Sequence, residues 1–257
     1  MLTERSARVA AAVKLHRHVA RRRAGRFLAE GVNLVEAASA RGLVRDVFVT
    51  ESAAERYSSF LDGAQSPVHL VTDRAAKALS DTVTPAGLVA VCEMLATRLT
   101  DVLAAAPRLV VVPVEISEPG NAGTVIRIAD AMGATAVILA GHSVDPYNGK
   151  CLRASAGSIF SIPVVVAPDA GAAVGALRAA GLQVLATTVD GETSLEDADL
   201  ARPTAWLFGP EAHGLSAEIA DGADRRVRIP MFGAAESLNV ASAAAICLYQ
   251  SARALNG

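Results

Sequence analysis

Hydrophobic and polar positions along the chain fall into two series. In the first, Val9, Val13 and the alanines around them alternate with basic residues at helical spacing, which predicts one helix over 3–22. Short units follow: a strand over 26–30, a helix over 33–41, a strand over 44–50 and a helix over 51–61. A strand over 68–71, a helix over 73–79 and a strand over 87–92 complete a small α/β sandwich. Residues 98–107 read as a linker. The second series carries continuous apolar runs at 109–112, 136–140, 162–166, 184–188, 205–208 and 227–229, most of them separated by helical stretches. Runs so rich in Val, Ile and Leu need cover on both faces, which predicts a mainly parallel sheet with crossover helices. An Ala-rich helix over 238–255 closes the chain.

Composition sharpens this picture. With 52% hydrophobic and 19% charged residues in 257, disorder and a coiled coil are excluded, and a sizeable core can be buried. No stretch has the roughly 18–20 consecutive apolar residues of a membrane span. Cys92, Cys151 and Cys247 lie far apart with no CxxC pair, so neither a zinc ribbon nor a disulfide framework is expected; a reducing cytoplasm fits, and no metal is expected. The net charge of −2 conceals an asymmetry. Residues 1–30 hold eight basic side chains (Arg5, Arg8, Lys14, Arg17, Arg21, Arg22, Arg23 and Arg26) against Glu4 and Glu30, a local +6 that leaves −8 for the rest. Such an arm is suited to phosphates, although a solvated helix face or a transit segment has similar composition.

In parallel α/β sheets ligands bind beyond the carboxyl ends of the strands. Three loops there carry chemistry. The first, Glu118-Pro119-Gly120-Asn121-Ala122-Gly123-Thr124, opens a helix whose buried stripe is Val125, Ile128, Ala129 and Met132. At helical spacing Arg127 points roughly 150° off that stripe. It is thus either a solvated charge or an anion clamp beside a helix start. The second loop is Gly209-Pro210-Glu211-Ala212-His213-Gly214, following the strand that ends in Leu207 and Phe208. The third runs from Ile229-Pro230-Met231 to Ser237-Leu238-Asn239; Ser237 reads as the N-cap and Asn239 as a first-turn residue. No GxxxxGK[ST], GxGxxG or GxSxG pattern is present, which disfavours a P-loop, a nicotinamide-binding turn and a nucleophile elbow.

Together these loops resemble the three signature motifs of the SpoU/TrmH family of RNA ribose methyltransferases, in the SPOUT superfamily. Motif one is Asn121-Ala122-Gly123-Thr124-Val125-Ile126-Arg127 and motif two Phe208-Gly209-Pro210-Glu211-Ala212-His213-Gly214-Leu215. Motif three is Ile229-Pro230-Met231 with Ser237-Leu238-Asn239-Val240-Ala241-Ser242. Arg153-Ala154-Ser155-Ala156-Gly157-Ser158-Ile159-Phe160 is similar to the family's segment between motifs one and two, and Arg26-Phe27-Leu28-Ala29-Glu30-Gly31 to the opening of its ribosomal-protein-like substrate domain. The branch that the chain most resembles holds the ribosomal-RNA enzymes, thiostrepton-resistance types included. Ala212 departs from the Gly often found in motif two.

The resemblance implies an RNA substrate-binding domain with a basic arm over 1–97 and a trefoil-knotted methyltransferase domain over 108–257. It implies S-adenosylmethionine as cofactor, pairing of the C-terminal domains as a homodimer, and methyl transfer to the ribose 2′-hydroxyl of a structured RNA, ribosomal RNA first. Cofactor contacts fall on Leu207, Gly209, Ile229, Met231 and Leu238. Catalytic positions are Arg127 with Asn121, Glu211, Ser237 and Asn239, and RNA contacts are assigned to Arg21, Arg22, Arg23 and Arg26. A guanidinium stays charged to about pH 12, so Arg127 is expected to grip phosphate and steady oxyanion charge rather than act as a base. Competing readings are a tRNA ribose methyltransferase and a non-catalytic RNA-binding or ribosome-assembly protein of the same fold.

Overall fold

The computed structural model describes residues 1–257. The chain forms two compact units. The first comprises Met1–Leu95 together with Tyr147–Phe160, the second Ala96–Pro146 and Ser161–Gly257. The division anticipated at 97 and 108 thus finds a second crossing, because 147–160 folds with the first unit.

The first unit contains α1 (Ala7–Val13), α2 (His18–Ala24), β1 (Arg26–Glu30), α3 (Val32–Ala40) and β2 (Val44–Val49), followed by α4 (Glu51–Arg56), α5 (Ser58–Asp62), β3 (Val68–Leu70), α6 (Asp73–Leu79) and β4 (Leu88–Glu93). Its sheet runs β1-β4-β2-β3, with β4 antiparallel to both neighbours and β2 parallel to β3. One core face is built from Val9, Leu15, Leu28, Phe48, Leu79 and Val91. The single helix anticipated over 3–22 is broken: a 3₁₀ turn spans Lys14–His16 and Arg17 is extended. Arg21 explains the break. It is 5% exposed, and its guanidinium donates to the carbonyls of Leu15 and His16 at 2.9 and 2.8 Å. The helix anticipated over 51–61 likewise divides at Tyr57.

The second unit contains α7 (Leu99–Ala104), within the expected linker, then β5 (Leu109–Pro113), α8 (Pro119–Ala131) and β6 (Ala136–Ala140). After the excursion into the first unit, whose helix is α9 (Gly149–Ser155), come β7 (Val164–Ala167), α10 (Ala170–Ala179), β8 (Gln183–Thr187) and β9 (Thr193–Ser194). β10 (Thr204–Phe208), α11 (Ala217–Asp221), β11 (Arg225–Arg228) and α12 (Val240–Asn256) complete it. Its seven strands lie in the order β7-β6-β5-β10-β8-β11-β9, and every pairing is parallel, as the continuous apolar runs predict. β5, β6 and β10 are buried throughout. Trp206 in β10 is fully buried and donates its indole N–H to Ser251 Oγ of α12 at 2.8 Å, satisfying the two polar atoms that this packing encloses.

Candidate functional site

β5 and β10 are neighbours in register, with Phe208 opposite Pro113, so the loops that follow them emerge side by side. β8 and β11 lie next in the sheet. The ends of β10, β8 and β11 open on one crevice, a cleft of about 470 Å³ lined by Thr187–Asp190, the loop from Phe208 to Leu215, and residues of the third motif.

Glu211, on the wall of this cleft, is met by Asn121 and Asn239 from the other two motifs, which lie outside its lining. Glu211 Oε1 accepts from Asn121 Nδ2 at 2.8 Å, Asn239 Nδ2 at 2.6 Å and the Val240 backbone N–H at 3.2 Å. Asn239 Nδ2 also lies 3.1 Å from Asn121 Oδ1. Local structure fixes each partner. Asn121 stands in the first turn of α8, where Pro119 suits the opening position and Glu118 accepts from Gly120 N. Asn239, not Ser237, is the N-cap of α12: its Oδ1 accepts from Ala241 N and Ser242 N at 2.9 and 3.4 Å. The cap lies two residues beyond the expected Ser237 because Asn239 serves both the helix start and the loop after β10. The carboxylate of Glu211 lies at the amino end of the 17-residue α12, where the helix dipole favours negative charge.

Gly209 has no room for a side chain, since a Cβ there would run into the backbone of Gly214 and Leu215. The tight loop is closed by Gly214 N donating to Pro210 O at 2.8 Å. Ala212, the departure from the family pattern, is exposed with ordinary negative φ, so its methyl costs the loop nothing. Gly209, Ile229, Met231, Ser237 and Leu238 all line the cleft. Leu207 does not: it is fully buried in the core beneath, in register with Val112 of β5 and Ala186 of β8, and its carbonyl accepts from Thr187 Oγ1 at 2.8 Å. Thr188 escaped the reading of the sequence. It lines the cleft, and its Oγ1 is buried without a hydrogen-bond partner. The signal was its position at the carboxyl end of β8.

Arg127 is exposed on α8 and forms no hydrogen bond or ion pair; it does not line the cleft. The buried stripe beneath it is Ala122, Val125, Ile126 and Ala129. Among the basic residues assigned to RNA, Arg22, Arg23 and Arg26 are exposed. Arg21 must be removed from that set, because its guanidinium is buried against backbone carbonyls. Arg26 also adds a minor attraction to Glu93, whose carboxyl is held below the ordinary range chiefly by a hydrogen bond from Arg45. No group of three or more His, Cys, Asp or Glu side chains is placed to hold a metal ion.

A parallel-sheet unit with polar residues gathered at adjacent strand ends, together with a small mixed-sheet unit, has counterparts among known proteins. Residues 108–249 match the SpoU rRNA Methylase family, and residues 6–90 match the MRM3-like substrate binding domain. The chain belongs to the SpoU rRNA methylase family. It is 36% identical over 238 residues to the 23S rRNA (guanosine(2553)-2′-O)-methyltransferase RlmP of Bacillus subtilis, covering 92% of each chain. Among solved structures it is similar to the SpoU methyltransferase AviRb from Streptomyces viridochromogenes in complex with AdoMet, with TM-score 0.88 and 35% identity over 97% of this chain and 98% of that one. The AdoMet-bound rRNA methyltransferase from Sinorhizobium meliloti superposes with TM-score 0.86 and 31% identity, over 98% and 96%.

Proposed function

We propose that this chain transfers the methyl group of S-adenosylmethionine to a ribose 2′-hydroxyl of ribosomal RNA. The observation that carries the reading is the meeting of Asn121, Glu211 and Asn239 at the cleft. Three segments distant in sequence converge on one carboxylate oxygen, and two relatives of the same fold are AdoMet-bound methyltransferases. The cleft suits such a cofactor. Ile229, Met231 and Leu238 offer apolar surface, and Gly209 lets the loop after β10 turn tightly at the cleft wall.

When bound, the cofactor supplies a methyl on a sulfonium that departs as a neutral thioether. The chain's residues must then hold the acceptor hydroxyl in line and help it lose its proton. Asn121, Glu211 and Asn239 form the hydrogen-bonded frame, and Ser237 on the cleft wall offers a hydroxyl to the substrate. Arg127, unpaired and in solvent, grips a nucleotide phosphate and steadies developing oxyanion charge, while the proton leaves through that phosphate or a water.

Arg22, Arg23 and Arg26 of the first unit bind RNA phosphates. The second units pair as a homodimer; the exposed Ile246 and Tyr249 on α12 support this. Close backbone passage at Gly209, and at Gly191 where a Cβ would run into Val227 and Arg228, supports a knotted C-terminal segment. The enzyme works in the cytoplasm, where its substrate is. The decisive experiment is transfer of labelled methyl to total RNA, followed by mapping of nuclease-resistant ribose sites. Label confined to ribosomal RNA at a 2′-O position supports the reading; label on bases or on tRNA alone, or none, overturns it.

A further inference from the structure

Phe232 is 95% exposed, alone among the six phenylalanines. Phe27, Phe48, Phe160 and Phe208 are buried, and Phe60 is partly covered. The Phe232 ring contacts no other aromatic ring. It stands on the segment between β11 and α12, where residues 231–237 are all exposed. Both ends of that segment belong to the cleft: Ile229 and Met231 line it before Phe232, Ser237 and Leu238 after. Phe232 is not part of the lining, so its ring lies in solvent beside the cleft. The loop after β8 adds Val189, which lines the same cleft and is also exposed. Of the eleven exposed large apolar side chains, three (Val189, Met231 and Phe232) thus stand at one site. Apolar surface gathered where a substrate must arrive marks a contact.

We propose that Phe232 stacks on an unpaired nucleobase of the RNA and so holds the strand over the cleft while its ribose is methylated. The proposal rests on the reading of the chain as an RNA-modifying enzyme. A subunit interface draws on roughly 20–30 residues a side. The rest of this segment, Gly233, Ala234, Ala235, Glu236 and Ser237, is small or polar and offers no such patch. One nucleobase, in contrast, presents a flat apolar face that a single ring covers, and RNA is gripped where its bases are unpaired and free to stack. A phosphate gains nothing from an uncharged ring with Glu236 on the same segment. Stacking accepts any base, so Phe232 supplies hold on the strand and leaves the choice of base to other residues.

Three variants test this. Phe232 packs against nothing that folding needs, so Phe232→Ala, Phe232→Leu and Phe232→Trp should melt with the wild type. Phe232→Ala should raise KM for ribosomal RNA about tenfold or more and leave S-adenosylmethionine affinity within about twofold. Phe232→Leu, apolar but not aromatic, should stay close to Phe232→Ala, whereas Phe232→Trp should restore the wild-type KM. The Trp variant also reads the stack without turnover. Trp206 is fully buried, so the new indole is the one that RNA can reach. Ribosomal RNA should quench its emission, and a fully paired RNA duplex at equal phosphate concentration should not. The proposal is overturned by an unchanged KM in Phe232→Ala, by full recovery in Phe232→Leu, or by equal quenching with duplex or none with ribosomal RNA. It is overturned equally if Phe232→Ala loses cofactor affinity or dissociates a wild-type dimer, which would make the ring a cofactor cover or a subunit contact. Any of these failures leaves wild-type methyl transfer to RNA standing. Absence of wild-type transfer would instead remove the enzymatic reading, with the quenching still deciding the stack.

Discussion

Asn239 donates to Glu211 Oε1 across 2.6 Å with its amide nitrogen and caps α12 with its amide oxygen. One side chain thus ties the start of the last helix to the loop after β10. Position follows from packing at the far end of that helix, where Ser251 meets Trp206.

Substitution can separate these two duties. Asn239→Ala should lose about 1 kcal/mol of stability with the cap, and methyl transfer should fall about a hundredfold. Asn239→Ser restores a capping oxygen but no amide donor, so its melting temperature should recover while its kcat does not. Recovery of both would reduce Asn239 to a cap.

Arg127→Ala should lower kcat by about 10²–10³ and leave S-adenosylmethionine affinity within about twofold, as expected for a group that acts on the transition state. Calorimetry beside a methyl-transfer assay reads both. Equal loss in the two would assign Arg127 to cofactor binding instead.

Gly209→Ala forces a methyl against the backbone of Gly214 and Leu215 and should weaken cofactor binding at least about tenfold, with a lowered melting temperature. Ala212→Gly, in an exposed and unstrained position, should change neither quantity. The pair of variants compares steric need at two places in one loop.

The arginine run divides by burial. Arg21→Ala strips donors from the Leu15 and His16 carbonyls and should destabilise the protein by about 1–3 kcal/mol. Joint replacement of Arg22 and Arg23 by Ala should leave stability nearly unchanged while the slope of log affinity for RNA against log salt becomes shallower by about 1.5. An unaltered slope would return these two residues to plain solvation.

Burial pushes the Cys92 thiol up to about 12, and burial raises Cys247 as well. Thiolate is therefore scarce at pH 8, and iodoacetamide should label neither residue until the protein unfolds. The sign of the linkage follows. The unfolded thiols lose protons from about pH 9 whereas the folded ones hold theirs, so this contribution to stability is complete below that pH and declines above it. Thermal melts between pH 7 and 10 test the trend.

Much of the second unit was legible because its strands are buried on both faces and read as unbroken Val, Ile and Leu runs; β5 and β6 begin where those runs predict. Signals that depend on distant partners were not. The break at Arg17 serves Arg21, the cap at Asn239 serves Glu211, and β9 is two residues long, below any periodicity. The members of the site were visible as loop residues after strands, but their mutual hydrogen bonds were not, since spacing along the chain says nothing of a carboxylate 90 residues away. Thr188 carried a positional signal at the carboxyl end of β8, but its buried hydroxyl without a partner could not be read along the chain.

Residues Tyr147–Phe160 belong by contact to the first unit although they are synthesised more than fifty residues after Leu95. Phe27 stacks on Phe160 and lies beside Tyr147, with ring centroids 6.0 and 4.7 Å apart. A nascent chain emerging from the ribosome consequently cannot finish its amino-terminal half until β5, α8 and β6 have been made, so the two halves mature together rather than one after the other. Cutting the gene between them would leave both fragments with raw apolar surface, which is reason enough for such a chain to be inherited as one piece.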